Sequence, residues 1–353
     1  MKKTVIAVIG CGRIASSAHF PALAKMENIT IKYACDILPE KAQAMKEKYP
    51  VIGEVITDYK VALADPEVEA VFVLTPNRTH FTVTMDALAA GKHVFCEKPI
   101  TINYALSKEM AEAAEKAGKL LVIGVCNRYH KAVEQIAKMN REGKFGNLYH
   151  VVCNFRSCRS IPGLGGAFTT KEESGGGVLI DWGVHYLDLI LYILGNPRLK
   201  TVTCDSYCEI AKDMKSYKYK SMWAEDTADV ENGTNDVDDF ITGHIRTEGP
   251  SISFNGAWAQ NLDQKDTYID FLGDKGGARL YYAKDFEVFD GATLETVKPE
   301  IEPHKMHELE DIAFIDAVQQ GRITRSHINN VLQSALLLDS LYQSADKKEE
   351  IKL

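Results

Sequence analysis

The sequence predicts a two-domain protein, α/β followed by α+β, with a doubly wound parallel sheet first and a mainly antiparallel open sheet second. Three observations carry this reading. Apolar runs of strand length alternate with helical patterns up to residue 127. The first run passes straight into a G-x-G-x-x-A turn at Gly10, Gly12 and Ala15. After Arg128 the alternation stops, and extended runs follow without intervening helices long enough for βαβ units. The expected domains are therefore 1–127 and 128–353, with the C-terminal helices able to pack back on the first.

Residues 4–10 (TVIAVIG) are a continuous β-branched run, as a parallel strand buried on both faces requires. Gly10 and Gly12 allow the tight turn and the close approach of a pyrophosphate, and Ala15 lets helix meet strand. The helical pattern continues to about Met26. Strand 31–35 ends in Asp36, about twenty residues past the turn, where a carboxylate grips both ribose hydroxyls of an adenosine. It would repel a 2′-phosphate, and Ile37 and Leu38 bring no cation, so NAD is expected over NADP. Strand 68–74 ends in Thr75-Pro76-Asn77 before a helix to about Ala90. Strand 92–96 ends in Glu97-Lys98-Pro99 before a helix to about Ala117, and strand 120–125 ends in Cys126-Asn127-Arg128. Ligands of such sheets bind beyond the carboxyl ends of the strands. The candidate cofactor contacts are thus Gly10, Gly12, Arg13, Ile14, Asp36, Thr75, Pro76, Asn77, His80, Glu97, Lys98 and Asn127 of a Rossmann domain.

The second half has a helix over 131–142, then extended runs near 148–155, 200–210, 240–246, 251–260 and 267–282. Period-two alternation puts Ile252, Phe254 and Trp258 on one face, and likewise Ile241 with Ile245. Among these runs lies SGGGVLIDWGVHYLDLILYILG, 174–195, read as a helix from about Asp181 that Gly195 and Pro197 stop. Most of it is apolar and must be buried. Asp181, His185, Asp188 and Tyr192 fall on one stripe, with Asp181 and His185 one turn apart; the plainer reading of that stripe is a solvent side. Two more helices, about 304–320 and 329–344, finish the chain. Two connections are long. Residues 156–177 carry Arg156, Arg159 and many glycines and look like a mobile wall of a site. Residues 212–239 read as a lid, an oligomer arm or a solvated loop.

At 353 residues the chain can bury two cores, and its 45% apolar and 25% charged content is that of a globular protein. A net charge of −8 argues against nucleic acid or an anionic membrane as partner. Eight cysteines without a C-x-x-C pair read as reduced packing thiols; Cys204 and Cys208, four apart in an expected strand, lack further ligands, and no metal is expected. The basic-then-apolar start at Met1–Gly10 is too short for a signal peptide, and no stretch reads as a membrane span. A cytoplasmic location is expected.

In VIGCGRIA, Asp36, TPNRTH, AGKHVFCEKP and SGGGVLIDWGVHYLDL, taken in order, the chain resembles the Gfo/Idh/MocA oxidoreductases over essentially its whole length. The resemblance implies that Lys98, Asp181 and His185 form the catalytic group and that the bond before Pro99 is cis. It also implies a homo-oligomer (dimer, tetramer or hexamer) joined through the open sheet face. Residue chemistry fits these roles. A histidine trades protons near neutrality, Asp181 sits where a helix dipole favours negative charge, and Lys98 can donate to an alkoxide; Lys98 and His185 both stay open as the final proton acceptor. The expected activity is hydride transfer between NAD and a secondary hydroxyl of a sugar, glycoside or sugar derivative, in the narrowest reading C3 of a glucosyl unit. Lys98, Arg156, Arg159, Asp181 and His185 are the candidate substrate contacts. Inositol or free-hexose dehydrogenation is the alternative. Reduction of a non-sugar carbonyl is a third activity, and an NAD- and sugar-binding regulator without turnover belongs to another class.

Overall fold

The computed structural model describes residues 3–221, 224–263 and 266–353, so Met1 and Lys2 of the N-terminal run and Met222 and Trp223 of the 212–239 connection lie outside the described residues. Backbone contacts divide the chain into two units, 1–129 with 304–332 and 130–303 with 333–353. The chain changes unit three times, first beside the expected boundary near 127 and then where residues 304–332 of the C-terminal part join the first unit and 333–353 return to the second.

The first unit is a six-stranded parallel sheet of β1 (Thr4–Ile9), β2 (Ile29–Cys35), β3 (Glu54–Ile56), β4 (Ala70–Val73), β5 (His93–Glu97) and β6 (Leu121–Gly124), in the order β3-β2-β1-β4-β5-β6. Its central strands are apolar on both faces because both are covered: Ile6, Ala7, Val8, Val71 and Phe72 are fully buried. The helices are α1 (Phe20–Leu23), α2 (Pro39–Lys48), α3 (Tyr59–Ala64), α4 (His80–Ala89) and α5 (Tyr104–Ala117). Asn103 caps α5 by accepting from Leu106 N–H, and Gly118, at φ +61°, ends it. The helix after the glycine turn stops at Leu23, short of the expected Met26, and opens with a π-helical turn, Ala15–His19, that carries His19 into the interior. The short strand β3, absent from the sequence reading, extends the edge.

The second unit begins with α6 (Lys131–Arg141) and is built on nine strands: β7 (Leu148–Arg156), β8 (Leu199–Tyr207), β9 (Phe240–Thr247), β10 (Ser251–Ala257), β11 (Asp266–Gly273), β12 (Gly276–Tyr281), β13 (Phe286–Asp290), β14 (Thr296–Val297) and β15 (Ile351–Lys352). The order is β14-β13-β12-β11-β7-β10-β9-β8-β15, and every pairing except β7 with β10 is antiparallel. The run expected over 267–282 is a hairpin, because Gly273-Asp-Lys-Gly-Gly277 supplies a turn inside it. Cys204 lies in β8, but Cys208 falls just past its end, so the two do not share a strand face. Ile241, Ile245, Ile252, Phe254 and Trp258 are all fully buried, as their alternation predicts.

The helices here are α7 (Lys171–Ser174) and α8 (Val184–Leu194), the latter prefaced by a π-helical turn, Leu179–Gly183. Then come α9 (Met306–Gln320), which belongs to the first unit, and α10 (Ile328–Lys347), which is shared between the two. Contrary to expectation, Lys171–Leu194 is long and apolar enough by composition to cross a membrane, an 18-residue window of it reaching mean hydropathy 1.5. It is a core helix here, with 72% of that window buried, and three glycines interrupt it at 175–177.

Phe314 of α9 is fully buried in the first unit, its ring 5.3 Å from that of Phe72 and 5.8 Å from that of Phe95. Replacing Phe314 by Ala removes that contact and should cost about 3–5 kcal/mol, whereas Ile323→Ala, at a residue 71% exposed, should cost little. Urea unfolding of the two variants checks both expectations.

Candidate functional site

In the first unit the candidate residues follow the carboxyl edge of the sheet in the order of its strands. Asp36 follows β2, Gly10 and Gly12 follow β1, Thr75 to Asn77 follow β4, Glu97 and Lys98 close β5, and Asn127 follows β6. The strand order reverses between β1 and β4, which is where open parallel sheets hold their ligands. Gly10 has φ +98°, and a Cβ on it would stand 2.5 Å from the Leu74 carbonyl oxygen. No other residue fits there. Gly12 is different, for a Cβ there would meet no protein atom within 4 Å. That leaves open space over it, of the kind the approach of a pyrophosphate requires. Asp36 Oδ2 accepts from Cys11 N–H at 2.8 Å and Oδ1 from Leu38 N–H at 2.9 Å. The carboxylate is thereby tied to the glycine turn, and its remaining lone pairs can accept ribose hydroxyls. Arg13 is exposed and Ile14 half-buried beside them, and Ile37, at 85% exposure, brings no cation. The residues present fit NAD.

Two candidates have other duties. His80 is buried, its Nδ1 2.7 Å from the Pro99 carbonyl and its Nε2 2.9 Å from that of Thr75. It ties the loop after β4 to the loop after β5. Glu97 is also buried; Oε1 lies 3.0 Å from His19 Nε2 and Oε2 accepts from Lys98 N–H at 3.0 Å. Both oxygens of its carboxylate are thus engaged within the first unit. The Lys98–Pro99 bond is cis, Lys98 is half-buried and Asn127 is buried.

In the second unit, Asp181 lies in the π-helical turn and His185 at the start of α8. Both are half-buried on a helix that is otherwise largely interior, so it exposes few polar groups, and these are among them. Asp188 leaves the expected stripe. It is buried, and its Oδ1 accepts from Ser334 of α10 at 2.6 Å, because α10 covers that side. The helix also begins earlier than Asp181, since Val184 N–H bonds to Leu179 O, five residues back.

Sequence reasoning missed the group that sets this helix start. Asp238 Oδ1 accepts from Gly177 N–H and Oδ2 from Leu179 N–H, each at 2.9 Å; Tyr342 donates its hydroxyl to Oδ1, and the Asp238 carbonyl accepts from Val178 N–H. A carboxylate from a distant loop therefore takes up the orphan donors of the helix N-terminus. Burial pushes its pKa up against those hydrogen bonds. The next residue, Asp239, does the same for Glu209 and Ile210 N–H, and burial brings its carboxyl up to about 6. The adjacent pair of acids ending the 212–239 connection was the available signal.

That connection and the 156–177 segment hold one another through backbone bonds from Lys220 to Arg159, Asp229 to Leu164, Thr234 to Gly165 and Asp236 to Thr169. Arg159, at φ +54°, donates to Asn261 and lies over the Tyr217 ring, 5.5 Å from its centroid; Arg156 ends β7, half-buried. Arg159 thus braces the loop pair. Lys98 belongs to the first unit, and Asp181, His185, Arg156 and Arg159 belong to the second.

Comparison with known proteins gives a consistent result. Residues 4–140 match the model of an oxidoreductase family with an NAD-binding Rossmann fold, and 133–279 match the GFO/IDH/MocA C-terminal domain. A D-glucoside 3-dehydrogenase of Escherichia coli (strain K12) is 31% identical over 99% of this chain and 97% of its own. An inositol 2-dehydrogenase of Salmonella typhimurium (strain LT2) is 30% identical over 55% of each. Among solved structures, levoglucosan dehydrogenase with NADH superposes at TM-score 0.86 with 20% identity, covering 99% of each chain. Aldose–aldose oxidoreductase from Caulobacter crescentus superposes at 0.83 with 22% identity, covering 100% of each.

Asp238→Ala should strip two N–H groups at the start of the Asp181 helix of their acceptor. Hydrogen bonds to a charged group contribute about 1.5–3 kcal/mol each, so the urea midpoint should fall clearly, with the amide-exchange protection of Leu179 lost first.

Proposed function

Because the chain belongs to the Gfo/Idh/MocA family of oxidoreductases, we propose that it is an NAD-dependent dehydrogenase of sugars or glycosides whose position of oxidation is C3 of a glucosyl unit. The observation that carries the substrate is the end-to-end similarity to a D-glucoside 3-dehydrogenase. NAD, when bound, accepts the hydride that leaves the carbinol carbon. The chain's own residues supply the proton chemistry and the orientation. His185 takes the hydroxyl proton, as an imidazole suited to neutral pH does. Lys98 donates to the reacting oxygen and steadies its growing negative charge. Asp181 accepts from a neighbouring hydroxyl and stabilises His185 once charged. Arg156 closes on the more distant part of a glycoside.

The reading extends to assembly and place. A second copy of the chain covers the face of the nine-stranded sheet that points away from α6 and α8. Supporting this, the face is polar and partly exposed, with Asn255 bonded to Asn154 and Thr242, and His150 between Ser251 and Ser253. The reaction runs in the cytoplasm, in keeping with eight free thiols.

The test offers NAD with O- and C-glucosides, free hexoses and inositols, following nicotinamide absorbance and product mass. Turnover of glucosides to 3-keto products is expected. Faster turnover of an inositol would replace the glycoside reading, and binding of NAD and sugar without turnover would replace the enzyme by a sensor. Lys98→Met should lower kcat by about 10²–10³-fold while NAD still quenches protein fluorescence.

Asp36→Ala should weaken NAD by roughly tenfold or more, from lost hydrogen bonds to a charged group, and narrow its preference over NADP. Parallel titrations with both dinucleotides read the change directly.

A further inference from the structure

Behind Lys98 in the first unit lies a buried chain of charge that the proposed mechanism does not use. His19 is fully buried. Its Nε2 is 3.0 Å from Glu97 Oε1 and its Nδ1 2.9 Å from Asp311 Oδ1 on α9. The other Glu97 oxygen holds the backbone N–H of Lys98. Aromatic rings enclose the imidazole, Phe95 at 5.3 Å and Phe72 at 6.1 Å between centroids, with His307 at 5.9 Å. Gly124 leaves room for the Glu97 carboxylate, since a Cβ there would stand 2.8 Å from its Cδ.

We infer that His19 is held as an imidazolium between Glu97 and Asp311, and that it is a positioning residue for Lys98, acting through the Glu97 carboxylate. A neutral imidazole has one N–H and one lone pair, so between two carboxylates it would turn that lone pair toward an anion. The imidazolium donates to both. Glu97, so neutralised and fixed in one rotamer, offers its second oxygen to Lys98 N–H and sets where the Lys98 side chain leaves β5. Its part in turnover rests on the dehydrogenase reading; its charge state does not.

The electrostatics agree with the geometry. Burial works to lower the His19 pKa, but Asp311 and then Glu97 outweigh it and bring it up to about 10. Burial works to raise Glu97, but His19 outweighs it, with help from His307 and Lys98, and brings it to about 2. Asp311 is raised by burial against the pull of His19, with Glu97 and Glu308 adding to the rise. The stabilisation from His19 is complete below its ordinary 6.5 and is lost as pH rises through about 10. That from Glu97 is present above its ordinary 4.5 and is lost as pH falls through about 2. The triad is thus fully effective between those two ordinary values and retains most of its strength across neutrality.

The test has two readouts. Histidine-selective ¹⁵N labelling of the full chain, with His19 assigned by its absence in His19→Gln, should show both ring nitrogens protonated at pH 8. A neutral ring titrating near 6.5 would overturn the inference, whether or not any sugar is turned over. In turnover, His19→Gln removes the counter-charge of Glu97, so the buried carboxyl should take up a proton near neutrality. We expect kcat to fall about tenfold with the sugar KM little changed, and a new limb in the pH profile with activity lost as pH falls. A uniform loss at every pH would leave His19 a structural residue and refute the positioning role. Should His19→Gln fail to fold, Asp311→Asn gives the same reading: the His19 deprotonation midpoint must drop, and an unmoved midpoint counts against the inference.

Discussion

All six strands of the first unit run the same way, and a parallel strand can end only on the edge that its neighbours share. That constraint organises the rest. Each chain segment emerging from the sheet delivers its next residue to one border, so residues far apart in sequence line up by strand order. Asp36, the Gly10–Gly12 turn, Thr75 and Lys98 fall along β2, β1, β4 and β5. Three strand spacings of about 4.8 Å separate the first from the last, roughly 14 Å. Only an extended ligand with a different group at each end uses the whole row. The acid at one end and the lysine at the other make the two ends of the row chemically different.

The second unit solves a different problem. A helix as apolar as α8 has to be buried, yet its first turn carries N–H groups that burial would leave without acceptors. Asp238 resolves the conflict from 59 to 61 residues away in sequence, with Tyr342 holding the carboxylate in place. The π-helical turn then sets the rotation of α8. Asp181 and His185 keep partial access to solvent, and Asp188 is driven into the interior against Ser334.

What could be read in advance was whatever depends on near neighbours. The glycine turn, Asp36 and the strand ends around Lys98 obey local geometry, and all but the short edge strand β3 of the parallel sheet emerged from alternation alone. The strands 251–257 and 240–247 were legible because Ile252 and Phe254, and Ile241 and Ile245, fall at even spacings that share one face. Direction of side chains was not legible where the partner is remote. Nothing near Glu97 in the sequence shows that its carboxylate is bonded to His19, 78 residues before it, or that His19 is itself tied to Asp311, 292 residues later. The bond of Arg159 to Asn261 and its place over the Tyr217 ring likewise join residues far apart in the chain. The hairpin inside 267–282 was hidden because strand-like residues flank its short glycine turn closely on both sides.

The return of residues 304–332 to the first unit has a consequence for how the chain is made. On the ribosome the N-terminal sheet is complete once residue 129 emerges, but Phe314, which covers Phe72 and Phe95, is not yet synthesised. At roughly 5–20 residues per second, that interval lasts on the order of 10–40 s. Through it the part of the sheet around Phe72 and Phe95 lacks the ring that covers it, while the whole intervening unit is being translated. Chaperone binding to the growing chain should be concentrated in this interval, and the last turns of α9 are the event that releases it.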